Sequence, residues 1–315
     1  MRLKGLMDPL ITSDKFKSIQ SSINNNKLIE VNGLSEPAKS FLISSIYDVL
    51  NKSIVIVTHS DLEAKNLYED MNLYMSNVYY FPAREIVFYN IDAISGDLRW
   101  ARLKIIKEIL SKRKNIIVTS IDAFASRYAP KELFKKHTKV LKVGEQIDFS
   151  NLIKLLVESG YERTEMTESK GEFSVRGGIL DVYPPDSIYP YRIEFFGDEI
   201  DSIRTFNAES QRSIDNVDKI EIFPAKEVII DENAKILAKD NIQIELNEVL
   251  SKCKDKNRNK KLENNIRKNL SDLDEFGTFQ MIESYLPFFY DKANSFFDYL
   301  SNYFVIVAEK DRAFG

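Results

Sequence analysis

The sequence predicts an α/β fold, in which an open parallel sheet is followed by an inserted small α+β domain that carries an antiparallel sheet. In the first third of the chain, short β-branched runs alternate with amphipathic helical stretches, which is typical of βαβ units. Near residue 138 the pattern changes to short alternating strands separated by glycines, and from residue 226 it becomes helical again. We therefore expect three parts, comprising residues 1–137, 138–225 and 226–315.

The first part is predicted to contain four strands, at residues 28–31, 54–58, 78–81 and 116–119. The second of these, Ile-Val-Ile-Val-Thr, is almost continuously apolar, as expected for a parallel sheet that helices cover on both faces. Apolar residues at helical spacing separate the strands. A long helix is predicted at 98–110, with its basic residues facing outward.

The middle part is predicted to form a helix followed by strands at residues 173–176, 179–183, 191–196 and 202–206. Gly197 and Asp198 separate the last two strands, which indicates an antiparallel hairpin. In the third part, residues 302–307 are predicted to form one more buried strand. A chain that ends soon after a core strand leads us to expect a longer protein. The basic run at 251–261 is typical of a solvated helix face or loop, with nucleic-acid contact as the alternative.

Composition excludes several classes of function. Lys and Arg total 44 and Asp and Glu total 48, a net charge of −4, which argues against a protein that mainly coats nucleic acid. One cysteine and two histidines leave little material for a disulfide scaffold, a zinc site or a histidine-based catalytic site. We therefore expect no metal, no cofactor and no catalytic residues. The sequence shows neither a signal peptide nor a membrane span, so we expect a cytoplasmic protein without a membrane partner.

Residues 33–40 match a phosphate-binding loop, G-x-x-x-x-G-K-[ST], only in part. Gly33, Lys39 and Ser40 keep the pattern, and the segment lies between a predicted strand and a predicted helix. However, Ala38 stands where glycine is needed, and Pro37 has no N–H to donate to a phosphate. The Asp that would hold Mg²⁺ at the end of a strand is also missing, since position 308 is alanine. The sequence therefore predicts a strand–turn–helix without nucleotide, with weak nucleotide binding as the alternative.

A charged and aromatic face is predicted on the strands of the middle part. The period of two places Arg192, Glu194 and Phe196 on one side of their strand, opposite an apolar side. The same alternation turns Arg176 and Arg204 outward on neighbouring strands. Arginines around an exposed aromatic side chain are typical of a protein–protein interface. An ordinary sheet surface with cross-strand ion pairs, or a nucleic-acid surface, would give a similar pattern.

Residues 171–184 and 191–204 resemble the signature shared by UvrB and the bacterial transcription-repair coupling factor (Mfd). Segments 81–85 and 283–289 resemble the coupling factor, and so does the degenerate loop, since UvrB has an intact one. The resemblance implies the N-terminal, UvrB-like module of that family, with a degenerate helicase-like (P-loop-type) sheet. It also names the three parts: subdomain 1a at 1–137, an inserted UvrA-binding domain at 138–225 and a returning subdomain 1b at 226–315.

The resemblance implies a non-catalytic adaptor that binds UvrA and recruits nucleotide excision repair to stalled RNA polymerase. It places the UvrA contact on Phe196 as the anchor, with Arg176 and Arg192 as partners of UvrA carboxylates; the strand face adds Glu194 and Arg204. In the family, the C-terminal part of the full-length chain masks this surface. RNA polymerase and DNA are contacted only through domains absent from this chain, which include an ATP-dependent DNA translocase. The alternative is a UvrB-like nucleotide- or DNA-binding enzyme, against which Pro37 and Ala38 argue.

Overall fold

The computed structural model describes residues 4–25, 27–50, 52–84 and 96–314. Residue 85, the last of the motif at 81–85, lies outside the described residues. The helices are α1 Lys4–Ile11, α2 Asp14–Asn24, α3 Glu36–Val49, α4 Asp61–Asn72, α5 Gly96–Leu110, α6 Ile121–Ala125, α7 Lys131–His137, α8 Phe149–Glu158, α9 Glu232–Lys252, α10 Lys256–Phe276, a 3₁₀-helix Ile282–Tyr285, α11 Leu286–Phe289, α12 Phe296–Tyr299 and α13 Lys310–Phe314. The strands are β1 Ser53–Thr58, β2 Val78–Phe81, β3 Ile116–Ser120, β4 Arg127–Tyr128, β5 Lys139–Lys142, β6 Glu162–Arg163, β7 Glu172–Arg176, β8 Ile179–Val182, β9 Tyr191–Phe196, β10 Glu199–Phe206, β11 Ser213–Asn216, β12 Lys219–Ile222, β13 Asn294–Ser295 and β14 Tyr303–Val307.

The chain divides into two compact units. The first comprises Met1–Leu98, Ile105–Ser126 and Phe296–Gly315, and the second comprises Arg99–Lys104 and Arg127–Ser295. The three-part division at 137/138 and 225/226 stays a prediction.

The first unit contains the parallel sheet that the sequence predicts. Its strand order is β14-β1-β3-β2, and every neighbouring pair is parallel. Every residue of β1 is buried, because the strand lies between two neighbours and helices pack over the sheet. Helices α3 and α4 contribute apolar side chains such as Ile46 and Met71 to this core.

The predicted strand at 28–31 is wrong. These residues form no strand, and the Leu28 side chain is fully exposed. The place beside β1 is filled by β14, from the far end of the chain, with β3 on the other side. Segment 28–31 contains Glu30 and leaves Leu28 and Val31 exposed, so it lacks the buried face that stabilises a strand.

The second unit contains a six-stranded sheet in the order β11-β10-β9-β8-β7-β6. Neighbours are antiparallel except for the short β6–β7 pair, which is parallel. The hairpin predicted at Gly197 is confirmed, since it joins β9 to β10. The inner face is apolar: Leu180, Ile193 and Ile203 lie opposite one another and are buried together with side chains of α8. This packing fixes which face of the sheet is left outside.

The expectation that α5 turns all its basic residues outward is wrong at Arg102. This side chain is buried, and its Nε and Nη2 atoms donate to the two carboxylate oxygens of Glu227 at 2.6 and 2.9 Å. Glu227 is itself buried, so each charge is compensated where water does not reach it. The prediction fails at Arg102 because the helical pattern gives no sign of the buried carboxylate that compensates this charge.

The helical character predicted after residue 226 is confirmed by α9 and α10. Helix α9 buries Ala234, Ala238, Ile242 and Leu246, while α10 buries Ile266 and Leu273. No helix within the described ranges combines the length and apolarity that crossing a bilayer requires.

Candidate functional site

The outward side chains of β7 to β10 form two rows across the sheet of the second unit. Directly opposed residues of antiparallel strands share a face. One row is Ser174, Asp181, Arg192 and Arg204, and the next is Arg176, Ile179, Glu194 and Ser202. Phe196 follows Glu194 by two positions and lies on the same face. We call Arg176, Arg192, Glu194, Phe196 and Arg204 the outer-face cluster; the structure brings all five together.

Asp181 lies at the centre of this face and fixes both predicted arginines. Its side chain is 1% exposed. One carboxylate oxygen accepts Arg192 Nε at 2.7 Å, and the other accepts Arg192 Nη2 at 2.9 Å and Arg176 Nη2 at 2.7 Å. The hydrogen bonds from Arg192 to Asp181 raise the pKa of that guanidinium, although burial opposes the effect. A single buried carboxylate therefore sets the position of two cations.

Sequence reasoning missed Asp181. The signal was present, because an aspartate interrupts the apolar strand Ile-Leu-Asp-Val and falls on the same side of β8 as the outward arginines do on their strands. Only the register reveals that it lies opposite Arg192, and register between strands is not encoded in either strand alone.

The two arginines differ in what they can offer a partner. Arg192 is 16% exposed, and besides Asp181 it donates to the backbone oxygen and to Oε1 of Gln211 at 3.3 and 3.2 Å. All three of its nitrogens thus have acceptors inside the protein. Arg176 is 47% exposed and uses one nitrogen on Asp181, so within the described part of the chain its Nε and Nη1 have no acceptor. Arg176 is the more exposed of these two arginines and keeps donors for a partner's carboxylate.

Glu194 and Arg204 form an ion pair on this face, although Arg204 Nε is buried without a hydrogen-bond partner in the described part of the chain. Arg204 Nη2 donates to Glu194 Oε1, and the Ser202 hydroxyl donates to Glu194 Oε2 at 3.1 Å. Both charged side chains are about one-third exposed. This pair is the cross-strand ion pairing expected of an ordinary sheet surface.

Phe196 is the exception on the outer face. Its side chain is 84% exposed at the end of β9, immediately before the left-handed Gly197 that opens the turn. Single exposed apolar side chains are common on protein surfaces and need no explanation. Here, however, the aromatic ring shares a face with an arginine that has unused donors, which is the composition of an interface hot spot.

The degenerate loop lies in the first unit, and two carboxylates there compensate the positive charge of Lys39. Its Nζ donates to Glu36 Oε1 at 2.7 Å and to Glu309 Oε1 at 2.6 Å. Glu309 follows β14, one residue after Ala308, whose N–H donates to the backbone of β1 at Val57. The strand predicted to lack its magnesium ligand instead supplies a carboxylate to the lysine.

Electrostatics at this loop favour the ion pair over an anionic ligand. The hydrogen bond from Lys39 is the main reason that the pKa of Glu309 falls to about 2. Burial lowers the pKa of Lys39, but its bonds to Glu309 and Glu36 outweigh this and raise it. Burial and then the charge of Glu36 raise the pKa of Glu63.

Three carboxylates surround this lysine. Oxygens of Glu36, Glu63 and Glu309 lie within 4.8 Å of one another, and the Lys39 ammonium supplies the compensating charge. Pro37 and Ser40 contribute no free donor either, since the Ser40 hydroxyl donates to the Pro37 carbonyl at 3.1 Å.

Comparison with known proteins gives one family and a consistent set of relatives. Residues 140–228 match the family model of the UvrB interaction domain, a range that includes the whole six-stranded sheet. The chain is 35% identical over 301 residues to the transcription-repair-coupling factor of Bacillus subtilis, covering 95% of this chain and 26% of that protein. It is 30% identical over 319 residues to the protein of the same name from Staphylococcus epidermidis, and 29% over 314 residues to that from Staphylococcus haemolyticus. The chain spans about a quarter of the length of these relatives.

Proposed function

The chain belongs to the transcription-repair-coupling factor family, and we propose that it is a non-catalytic adaptor module that binds UvrA through the outer-face cluster. In this proposal, the bound UvrA brings nucleotide excision repair to sites where RNA polymerase has stalled. The observation that carries it is the 84% exposure of Phe196 on a sheet face whose charges are otherwise fixed by internal partners. The match to a UvrB interaction domain over this sheet supports a role in partner binding.

The binding step that we propose has a centre and a rim. Phe196 enters a pocket of UvrA and loses its contact with water, which for an aromatic side chain is worth about 1.5–3 kcal/mol. Arg176 donates from Nε or from Nη1 to a UvrA carboxylate while its Nη2 stays on Asp181. Asp181 and Arg192 act as positioning residues, because a preformed face loses less conformational entropy on binding than a mobile one.

We propose that the module lacks nucleotide chemistry of its own, because Lys39 is held between Glu36 and Glu309. A phosphate that approached Lys39 would have to displace two carboxylates. The alternative, a UvrB-like nucleotide- or DNA-binding enzyme, predicts that Mg-ATP raises the melting temperature of the chain and that Lys39→Ala abolishes the effect. We expect that Mg-ATP changes the melting temperature of neither the unaltered chain nor the Lys39→Ala variant.

The wider setting of the family extends the proposal. RNA polymerase and the ATP-driven translocation of DNA belong to other parts of the full-length protein, and a C-terminal part masks the outer-face cluster until it is needed. We place the protein in the cytoplasm, where its partners act. We expect a full-length relative to bind UvrA more weakly than the present chain does, and equal affinities would refute the mask.

Calorimetric titration of the chain with UvrA tests the proposal directly. We expect saturable binding that Phe196→Ser and Arg176→Glu each weaken by tenfold or more, which corresponds to about 1.4 kcal/mol. Phe276→Ser and Arg163→Glu are matched controls. Phe276 is a 65% exposed phenylalanine on α10, and Arg163 is an exposed arginine whose register partner is the inward-facing Phe173.

Unchanged affinity in both outer-face variants would overturn the assignment of the surface. Equal losses in the outer-face and control variants would do the same, because they would show a general effect of the substitutions. Circular dichroism of each variant confirms that the fold is intact.

A further inference from the structure

Helix α10 begins with a concentration of positive charge that the UvrA proposal does not use. Residues 252–268 contain eight basic and two acidic side chains, a net charge of +6 in a chain whose total is −4. The basic residues are Lys252, Lys254, Lys256, Arg258, Lys260, Lys261, Arg267 and Lys268. Concentrating this much charge costs free energy through mutual repulsion, so it calls for a partner of opposite charge.

Most of these cations have no ion-pair partner in the part of the chain that the structure describes. Lys252 pairs with Glu248 and Arg267 pairs with Glu263. The other six are exposed, and among residues 4–25, 27–50, 52–84 and 96–314 none has an acidic partner. Two of the nearby acidic groups are engaged by other partners. Asp255 caps the start of α10, and Asp274 near its end pairs with Lys235 and Lys239 of α9.

The free lysines lie on one side of the helix. Ile266 and Leu273 mark the buried side of α10, and rotation by about 100° per residue places Lys260, Lys261 and Lys268 on the outward half and Lys256 at its border. We call these four lysines the α10 basic face. From the first to the last, the face spans about 18 Å along the helix axis, at about 1.5 Å per residue. Asn257 and Asn264 are exposed between them and add uncharged donors.

We propose that the α10 basic face binds the phosphate backbone of double-stranded DNA. A duplex carries one negative charge per about 1.7 Å of its axis, so a segment as long as the face presents on the order of ten phosphates. Lysine is a compact point charge that neutralises phosphates without reading base sequence. Contact with DNA was expected only through domains absent from this chain, so this face extends the partners of the module itself.

An acidic protein fits the same face less well. Protein–protein interfaces are depleted in lysine and centre on aromatic or other large apolar side chains. On α10, the large exposed apolar side chain is Phe276, which lies at the opposite end of the helix from Lys256, beyond the acidic Asp274 and Glu275. The face therefore has charge without an apolar anchor, which is the composition of an electrostatic contact to nucleic acid.

The test measures binding of the whole chain to a fluorescently labelled 30-base-pair duplex of random sequence at several salt concentrations. One variant replaces the four lysines of the α10 basic face by glutamine, and a second replaces them by arginine. The control variant replaces Lys135, Lys142, Lys219 and Lys292 by glutamine; these are exposed and have no ion pair in the described part of the chain. Glutamine and arginine both favour helices, so α10 should remain folded, which circular dichroism checks.

For four phosphate contacts we expect the logarithm of the binding constant to fall with a slope of about −3.6 against the logarithm of salt concentration. Affinity should then drop about 150-fold between 50 and 200 mM salt. The glutamine variant should lose at least tenfold in affinity at 50 mM and most of the slope, while the arginine and control variants keep both.

Three results would overturn the proposal: no binding by the unaltered chain at 50 mM salt, equal losses in the α10 and control variants, or competition by polyglutamate as strong as by unlabelled DNA. The last would assign the face to an acidic protein. The outcome is separable from the UvrA proposal, since the glutamine variant should bind UvrA with unchanged affinity.

Discussion

Replacing Asp181 by asparagine removes the charge that holds the outer face in place while keeping the size of the side chain. Arg192, which is 16% exposed, would lose its ionic partner, and breaking a buried pair of this kind costs about 3–5 kcal/mol. Asparagine still accepts one hydrogen bond, so the lower end of that range applies. Arg176 is 47% exposed and contributes no more than about 1 kcal/mol. We therefore expect a loss of about 3 kcal/mol in the free energy of unfolding.

Scanning calorimetry measures this loss as a lower melting temperature of the second unit. For units of about 150–250 residues, 1 kcal/mol corresponds to about 2–4 °C, so the expected decrease is about 6–12 °C. Arg192→Leu should lower the melting temperature much more than Arg176→Leu. Because Asp181→Leu combined with Arg192→Leu removes both charges, the double variant should lose less than the sum of the two single losses.

A melting temperature of Asp181→Asn within about 1 °C of the unaltered chain would refute the reasoning. Equal costs for the two arginine variants would also refute it, because the argument rests on their different burial. UvrA binding adds a functional measurement: as a positioning residue, Asp181 should affect affinity without touching the partner, and Asp181→Glu should not restore the geometry.

Two further predictions concern the other ion pairs. Arg102→Leu should cost about 3–5 kcal/mol, because it leaves the buried Glu227 with less compensation, and the double variant with Glu227→Leu should be more stable than the single variant in urea unfolding. The Lys39–Glu309 pair should make the free energy of unfolding depend on pH. The pKa of Glu309 is about 2 in the folded protein against an ordinary value of 4.5. The stabilisation from this pair is therefore complete above pH 4.5 and is lost as the pH falls towards 2. Between pH 7 and pH 3, the melting temperature should therefore fall less steeply for Lys39→Met than for the unaltered chain. The same dependence of melting temperature on pH in both proteins would contradict the pairing.

The strands that the sequence predicted correctly are those whose apolar pattern agrees with their place in a sheet. Continuous apolar runs such as 54–58 became central parallel strands, and alternating runs such as 191–196 became strands with one buried face. Residues 28–31 contain Glu30, leave Leu28 and Val31 exposed and form no strand, while β3 and β14 from later parts of the chain pair with β1. The local pattern determines whether a segment can form a strand, whereas long-range pairing and burial determine whether it does.

The candidate site shows the same limit at the level of side chains. Alternation placed Arg176, Arg192 and Phe196 on one face, because the side-chain period of a strand is set locally. It did not reveal that Arg192 is saturated by Asp181 and Gln211, because those partners are fixed by register and by a loop. Arg192 and Arg176 look alike in sequence, yet one organises the face and the other is available to a partner.

The degenerate loop holds an internal ion pair at the position where a nucleotide-binding loop would contact phosphate. In a nucleotide-binding loop of this kind, the lysine charge is compensated by phosphates that come and go. Here the carboxylate of Glu309 compensates the charge of Lys39 instead. Glu309 lies two residues after the end of β14 and directly after position 308, where a magnesium ligand was expected. The ion pair ties the start of α3 to the end of β14, so one arrangement of the loop is favoured whether or not nucleotide is present. This ion pair agrees with the proposal that the module presents binding surfaces and undergoes no nucleotide-dependent change at this position.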